Sequence, residues 1–548
     1  MHRDSLVILE QKKEILQSND ELAASVNSSS VVPEAGKKRL HFAVTITSGV
    51  ILWGLFLGQF LTKPVHIDDT NFLRLAEGAR QNWFQPHSIT INWTGKTVPA
   101  FEVLSNPPGI GWYLAPVLQQ PIWVMHLWMS LWLIPLCWGA RQLLQVYAPD
   151  YSNLGMLLIL TSPVVVLSAQ SFLPDLPMLA CTLAGLGGYA NKRKGQLFWA
   201  FVAGSAGCFR YSGVLIIGVL ILMARKSGWR TICLTAIAGG IPLALLAIND
   251  LVSYGQWHLP AMFLFQNDTQ HKLWDEPFHN LVAGLAMLGG AVVLPILCWN
   301  KWSPLLGFIG AWLGLNAAFL TDLTLAQSIP TVLFAMCGGI VASSICNAGS
   351  RYLSLSGWAC FGFLLLTITR FAATRYWMAF FPAFVLLGLI NKPSKRRVGL
   401  CIALSLVLSL GMAIDDYEFA CSQRDAAKWV TSHAPQGHFS GHWGWQYYLE
   451  SAGWSPIERD AKSNGPFAVS TLADPQTYQL TTNHYLIKEL SLPDRWPGPR
   501  VHCLQGRSGY HGGGRALYAP WTLSNAPYDR ILVYGYKPLS EGRADDRN

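Results

Sequence analysis

Long apolar segments separated by short polar loops constrain this chain more than any other feature. A membrane-spanning helix needs about 20 mostly apolar residues, within a range near 17–25. Segments of that kind, some of them short, lie near 41–62, 121–146, 152–170, 175–190, 196–209, 211–224, 231–249, 279–298, 303–320, 329–346, 353–369, 374–391 and 398–415. The 548 residues are 51% hydrophobic and only 13% charged. Soluble chains carry about 25% charged residues, so the composition belongs to the polytopic membrane class. The expected fold is mainly α, a transmembrane bundle of about 13 helices.

Loop charge tests that count. The net charge of +9 does not call for nucleic acid, because loop Lys and Arg can set topology instead. "GKKRL" precedes the first segment. Alternate connections then carry "NKRKG" at 191–195, "ARKSGWR" at 224–230, "NKW" at 300–302, "SRY" at 350–352 and "NKPSKRR" at 391–397. All fall on one side if 196–224 is two segments rather than one. The alternation predicts a cytoplasmic N-terminus and places 63–120, 250–278 and the tail outside. The protein is expected in the cytoplasmic membrane with its C-terminal domain external. The eleven Cys form no CxxC or CxxH pair, so no zinc or redox motif is visible.

Three regions follow. Residues 1–38 read as a cytoplasmic disordered tail, 39–415 as the transmembrane domain, and 416–548 as an external, small soluble α/β domain. In that last part "SQRDAAKWVTSHA" and "GWQYYLESAGW" read as helices, and "HFSGHW" and "RILVYGY" as strands. "SGYHGGGRA" is Gly-rich but lacks the GK[ST] of a P-loop and reads as a turn.

Apolar interiors are nearly free of Asp, Glu, Lys and Arg, which argues against a proton-coupled transporter and moves attention to the external loops. The first loop, 63–120, opens with the adjacent acids Asp68 and Asp69. Phe72, Ala76, Ala79 and Trp83 then share one helical face, and Arg74, Glu77 and Gln81 the other. That is an amphipathic helix suited to a membrane surface. One aspartate can cap it, but one cap suffices. "NPPGIGWYLAP" at 106–116 follows, read as a re-entry element. "SFLPDLP" carries Asp175, "FRYSG" carries Arg210, and "RFAATRYW" carries Arg370 and Arg375. The long fourth loop supplies His258, His271 and Lys272. The external face thus offers three acids among several cations and donors.

The order "DDTNFLRLAEGA", "NPPGIGWYL", "PDLPMLACTLAGL", "FRYSGVLII" and "TRYWMAFFPAFVLL" resembles the GT-C superfamily of membrane glycosyltransferases. The likeness is to the protein O-mannosyltransferase and aminoarabinose-transferase group, over about 41–415. That family often has Asp-Glu followed by Ala where this chain has Asp68-Asp69-Thr70. The resemblance implies transfer of a sugar from a polyprenyl-phosphate donor to an external acceptor, which is a protein, glycan or lipid. It implies Asp68 as general base, Asp69 as an orienting acid and Asp175 at the sugar. Arg210 would clamp the lipid phosphate, with His258, Lys272 and Arg375 as further substrate-binding groups. A lipid phosphate leaves as a stable anion, so one base and nearby cations suffice. No cofactor is required; Asp68, Asp69 and His66 could gather a divalent metal, but nothing in the sequence calls for one. The alternatives kept open are a non-catalytic scaffold of the same architecture and a lipid-linked glycan polymerase or ligase. A transporter or flippase ranks behind both.

Overall fold

The computed structural model describes residues 58–191, 195–262, 277–369, 372–473, 475–493, 496–512 and 517–537. The N-terminal tail, most of the first apolar segment, His271, Lys272 and Arg370 lie outside the described residues.

Among the described residues, helices occupy the expected apolar segments from 121 onward. Five among the described residues are long and apolar enough to cross a membrane: Ile122–Tyr147, Trp229–Tyr254, Ser303–Leu320, Leu325–Asn347 and Lys395–His433. Their outer faces carry exposed side chains such as Ile241, Leu245, Phe308, Trp312 and Val407. Such belts suit lipid and are costly in water, so this is an integral membrane protein.

Several other segments are broken, and proline marks the breaks. Pro149–Leu160 and Pro163–Ala169 meet at a 54° bend, because a proline fits the first turn of a new helix but not the interior of an old one. Pro295 opens a separate short turn after Pro277–Ala291. In the segment at 374–391 the α-helix is only Phe381–Leu389, with Pro382 in its first turn. The region 196–224 divides as the loop charges require, at Arg210, which is extended (φ −151°).

The acid pair opens helix α1 (Asp69–Gln81). Its apolar face is not left to lipid. Phe72, Leu73, Leu75 and Ala76 pack into a protein core with Ile110, Leu114 and Phe172. Helix α2 (Gly109–Leu114) lies against it; a Cβ on Gly111 would stand 2.9 Å from the Leu75 backbone. Trp83, expected on the same apolar face, is exposed. A short hairpin, β1 (Thr90–Asn92) with β2 (Thr97–Pro99), follows α1. Helix α3 (Asp175–Ala190) is buried on all sides.

The last long helix, α4 (Lys395–His433), is continuous for 39 residues, about 58 Å at 1.5 Å per residue. It passes through Asp415 and Asp416, where the apolar run ends, so "SQRDAAKWVTSHA" continues the span rather than forming its own helix. Beyond it come β3 (His438–Ser440), helix α5 (Trp443–Ser451), β4 (Ser455–Pro456), β5 (Phe467–Ser470), β6 (His484–Leu492) and β7 (Asp529–Tyr536). The sheet order is β4-β3-β5-β7-β6. Strand β3 runs parallel to β4 and β5, while β7 is antiparallel to β5 and β6. The architecture is a helical membrane bundle with a small C-terminal α/β region.

Candidate active site

The backbone just before α1 is forced. Ile67 has φ +46°, a left-handed conformation in which a β-branched residue is an outlier. Strain of this kind costs about 1–3 kcal/mol and persists only where the surroundings over-determine it. Here they do. Ile67 is buried against Phe419 and Trp445 of the C-terminal part. The start of α5 presses on the same segment: a Cβ on Gly444 would lie 2.3 Å from the Val65 carbonyl oxygen. Thr70 donates to the Trp443 carbonyl at 2.7 Å, and Trp443 itself has φ +65°.

Neither aspartate caps the helix it opens. Asp68 occupies the N-cap position but makes no capping hydrogen bond. Its Oδ2 takes the Arg375 Nη2 hydrogen bond instead. Arg375 is buried, and its Nε and Nη1 have no hydrogen-bond partner among the described residues. Asp68 retains 19% exposure of its side chain. Asp69 is closed off: Oδ1 accepts from the Phe172 amide at 2.8 Å, and Oδ2 lies 3.3 Å from His66 Nδ1. Asp69 therefore orients the loop at 172 rather than facing open space.

Asp175 opens α3, again without capping it. Both its oxygens accept from Arg210 Nη1, at 2.7 and 2.8 Å, and its side chain is fully buried. Asp175, expected at the sugar, is enclosed here, and its contact is with the guanidinium. The same Arg210 lies over the Tyr376 ring, 4.6 Å from its centroid. Arg375, next to Tyr376 in sequence, feels the charge of Asp175 as well as that of Asp68. Asp68, Asp175, Arg210 and Arg375 are thus brought together, with Asp69 one shell behind.

His258 is not part of this group. It is fully buried, its ring tilted against those of His87 and Phe101, with Nδ1 sharing a 2.8 Å hydrogen bond with the Tyr211 hydroxyl. Burial first, then the neighbouring His87, pushes it down to about 2. It is a neutral ring, not a cation, because burial penalises the charged form.

Residues that the sequence reading passed over complete the site. Asp416 of α4 accepts from Lys63 Nζ, from His66 Nε2 at 2.9 Å and from His511 Nε2 at 2.9 Å. Its neighbour Asp415 holds the tail: it accepts from the Val501 amide at 2.7 Å and the Tyr528 hydroxyl at 2.8 Å, and pairs with Arg500 at 3.0 Å. One signal was available. "IDD" at 67–69 recurs as "IDD" at 414–416, a second acid pair just past an apolar run. The donor atoms of His66, Asp416 and His511 lie within 4.8 Å of one another. The Asp416 carboxylate is already filled by the Lys63 ammonium and both rings, so the arrangement is a closed ion-pair cluster rather than an open coordination site.

No family model matches this chain, and neither does any curated protein. Among solved structures, ArnT from Cupriavidus metallidurans bound to undecaprenyl phosphate aligns at 12% identity and a TM-score of 0.47, over 91% of this chain and 99% of that one. The apo state of the same protein aligns at 11% identity and a TM-score of 0.40, over 92% and 100%.

Proposed function

We propose that this chain is a membrane glycosyltransferase that moves a sugar from a polyprenyl-phosphate donor to an acceptor on the external face. The observation that carries the reading is Arg375: a buried guanidinium that spends one nitrogen on Asp68 and, among the described residues, leaves Nε and Nη1 without partners. Buried donors without partners are costly, and guanidinium N–H groups make strong charge-assisted hydrogen bonds to phosphate oxygens. A donor phosphate on either nitrogen sits about one guanidinium width from the Asp68 carboxylate.

The chemistry follows from that placement. Asp68 takes the proton of the acceptor nucleophile. The nucleophile bonds to the anomeric carbon as the bond to the phosphate oxygen breaks. Polyprenyl phosphate leaves with the electron pair, its charge stabilised by Arg375 and by Arg210. Of the three candidate acids only Asp68 has an exposed edge, which supports it as the base. Asp69 and Asp175 act behind it, holding the loop at 172 and Arg210. The reading places the N-terminus in the cytoplasm and the C-terminal sheet outside the cytoplasmic membrane, so that donor lipid and polar acceptor meet at the boundary.

Mass spectrometry of lipid extracts from a deletion strain tests the reading. An accumulated polyprenyl-phosphate sugar, absent after complementation, is expected. Unchanged lipid-linked sugars would count against it.

A further inference from the structure

The acid pair is anchored by a charge cluster that the transfer chemistry leaves unused. Lys63, His66, Asp69 and Asp416 are each at most 1% exposed. Lys63 binds one oxygen of Asp416. His66 lies between two carboxylates, with Nε2 2.9 Å from Asp416 Oδ1 and Nδ1 3.3 Å from Asp69 Oδ2. Two carboxylates and one ammonium leave one negative charge uncompensated in a site closed to water, a costly arrangement. A neutral imidazole has a single N–H. In either tautomer it would aim a lone pair at one of the two carboxylates. Protonated on both nitrogens, the ring donates to each, and the four charges sum to zero.

We propose that His66 is held as an imidazolium, a positioning residue that locks the start of α1 onto α4 and thereby sets where Asp68 stands. The groups facing it come from every element around it. Lys63 lies on its own segment, Asp69 on α1, Asp416 on α4, and His511 on the tail, its ring edge-on at 5.3 Å. His126 and His502 act on it or its partners from farther away. His511 donates to the same Asp416 oxygen, and its Nδ1 has no partner among the described residues. The two rings therefore divide the roles, one charged and one neutral. Burial pulls His66 down, but Asp416 and the hydrogen bonds to both carboxylates outweigh it and the opposing Lys63, leaving its value raised. For His511 burial prevails and the value is lowered.

A raised histidine stabilises the fold fully below its ordinary value of 6.5, and that contribution is lost as pH rises through the folded value. His87, His258, His502 and His511 are all moved down, so they act on the other side, where pH falls below 6.5. The charge state does not depend on the transfer reading, and the experiment reads charge rather than turnover.

Ring-¹⁵N spectra of the full, histidine-labelled chain in lipid nanodiscs test this above pH 6.5, where a free ring is neutral. One ring protonated on both nitrogens is expected, lost in His66→Gln and retained in His511→Gln. If His66→Gln fails to fold, the His511→Gln chain still decides. Loss of the doubly protonated ring there would assign the charge to His511 and overturn the proposal. A spectrum with no such ring would also overturn it, as would one equivalent of a bound transition metal found by elemental analysis.

Discussion

Asp68 and Arg375 are 307 residues apart in sequence and meet in an ion pair at the first turn of α1. The pair joins the first described loop to the late segment before Phe381–Leu389. It also leaves two guanidinium nitrogens without partners among the described residues. Arg375→Gln should weaken donor binding about 10–100-fold, since a hydrogen bond to a charged group is worth about 1.5–3 kcal/mol. Arg375→Lys should recover only part, because an ammonium cannot reproduce the planar guanidinium. Titration of the purified variants with the polyprenyl-phosphate donor checks both, and unchanged donor affinity would remove Arg375 from the phosphate site.

Arg210 and Asp175 form a buried pair. Removing one partner leaves the other charge uncompensated, typically a loss of about 3–5 kcal/mol. Arg210→Gln and Asp175→Asn should each lower the thermal midpoint sharply, and the double variant should lose less than the sum. Additive losses would mean that the two side chains are not coupled.

Asp69→Asn should act on the fold more than on the reaction. It strips a charge from His66 and weakens the hold on the Phe172 amide. The expected result is a lower thermal midpoint, most marked below pH 6.5, where His66 contributes in full. A midpoint unchanged across that range would show that Asp69 orients nothing.

Gly444→Ala places a methyl group 2.3 Å from the Val65 carbonyl oxygen. Overpacking of this kind costs about 1–3 kcal/mol. Because α5 supports the segment leading to Ile67 and Asp68, turnover per folded molecule should fall as well. Full turnover at reduced stability would separate the C-terminal contact from the site.

What the sequence revealed and what it hid divide along physical lines. Apolar run lengths mark the helices, and the segment limits at 209 and 211 flank the observed break at Arg210. The strand at Asp529–Tyr536 is visible by alternation, and "HFSGHW" reads as a strand and turn around His438–Ser440. Pairings across hundreds of residues are not visible. Lys63 reads as an ordinary loop cation, yet it is wholly buried on Asp416. His511 sits in a Gly-rich stretch that reads as a turn, yet its ring closes the same cluster. Asp415 and Asp416 look like the end of a span because charge does end the apolar run. The helix continues because the C-terminal part, with Arg500 and Tyr528, and the loop at Lys63 and His66 supply the partners that water would otherwise provide. α1 was read correctly as amphipathic, but periodicity says only that a face is covered, not whether lipid or protein covers it.

Topology underlies the whole reading. Reporter fusions after Lys226 and within the C-terminal sheet should report inside and outside, respectively. The same side for both would overturn the external placement of Asp68.

The most direct measurement is turnover of Asp68→Asn at matched protein level and thermal midpoint. Asn keeps the size of the side chain but removes its basicity. A positioned base is worth about 10²–10⁴-fold in rate. The account predicts a loss of that order, with the polyprenyl-phosphate sugar accumulating in cells that carry the variant. Turnover and lipid-linked sugar at wild-type levels in Asp68→Asn would contradict it.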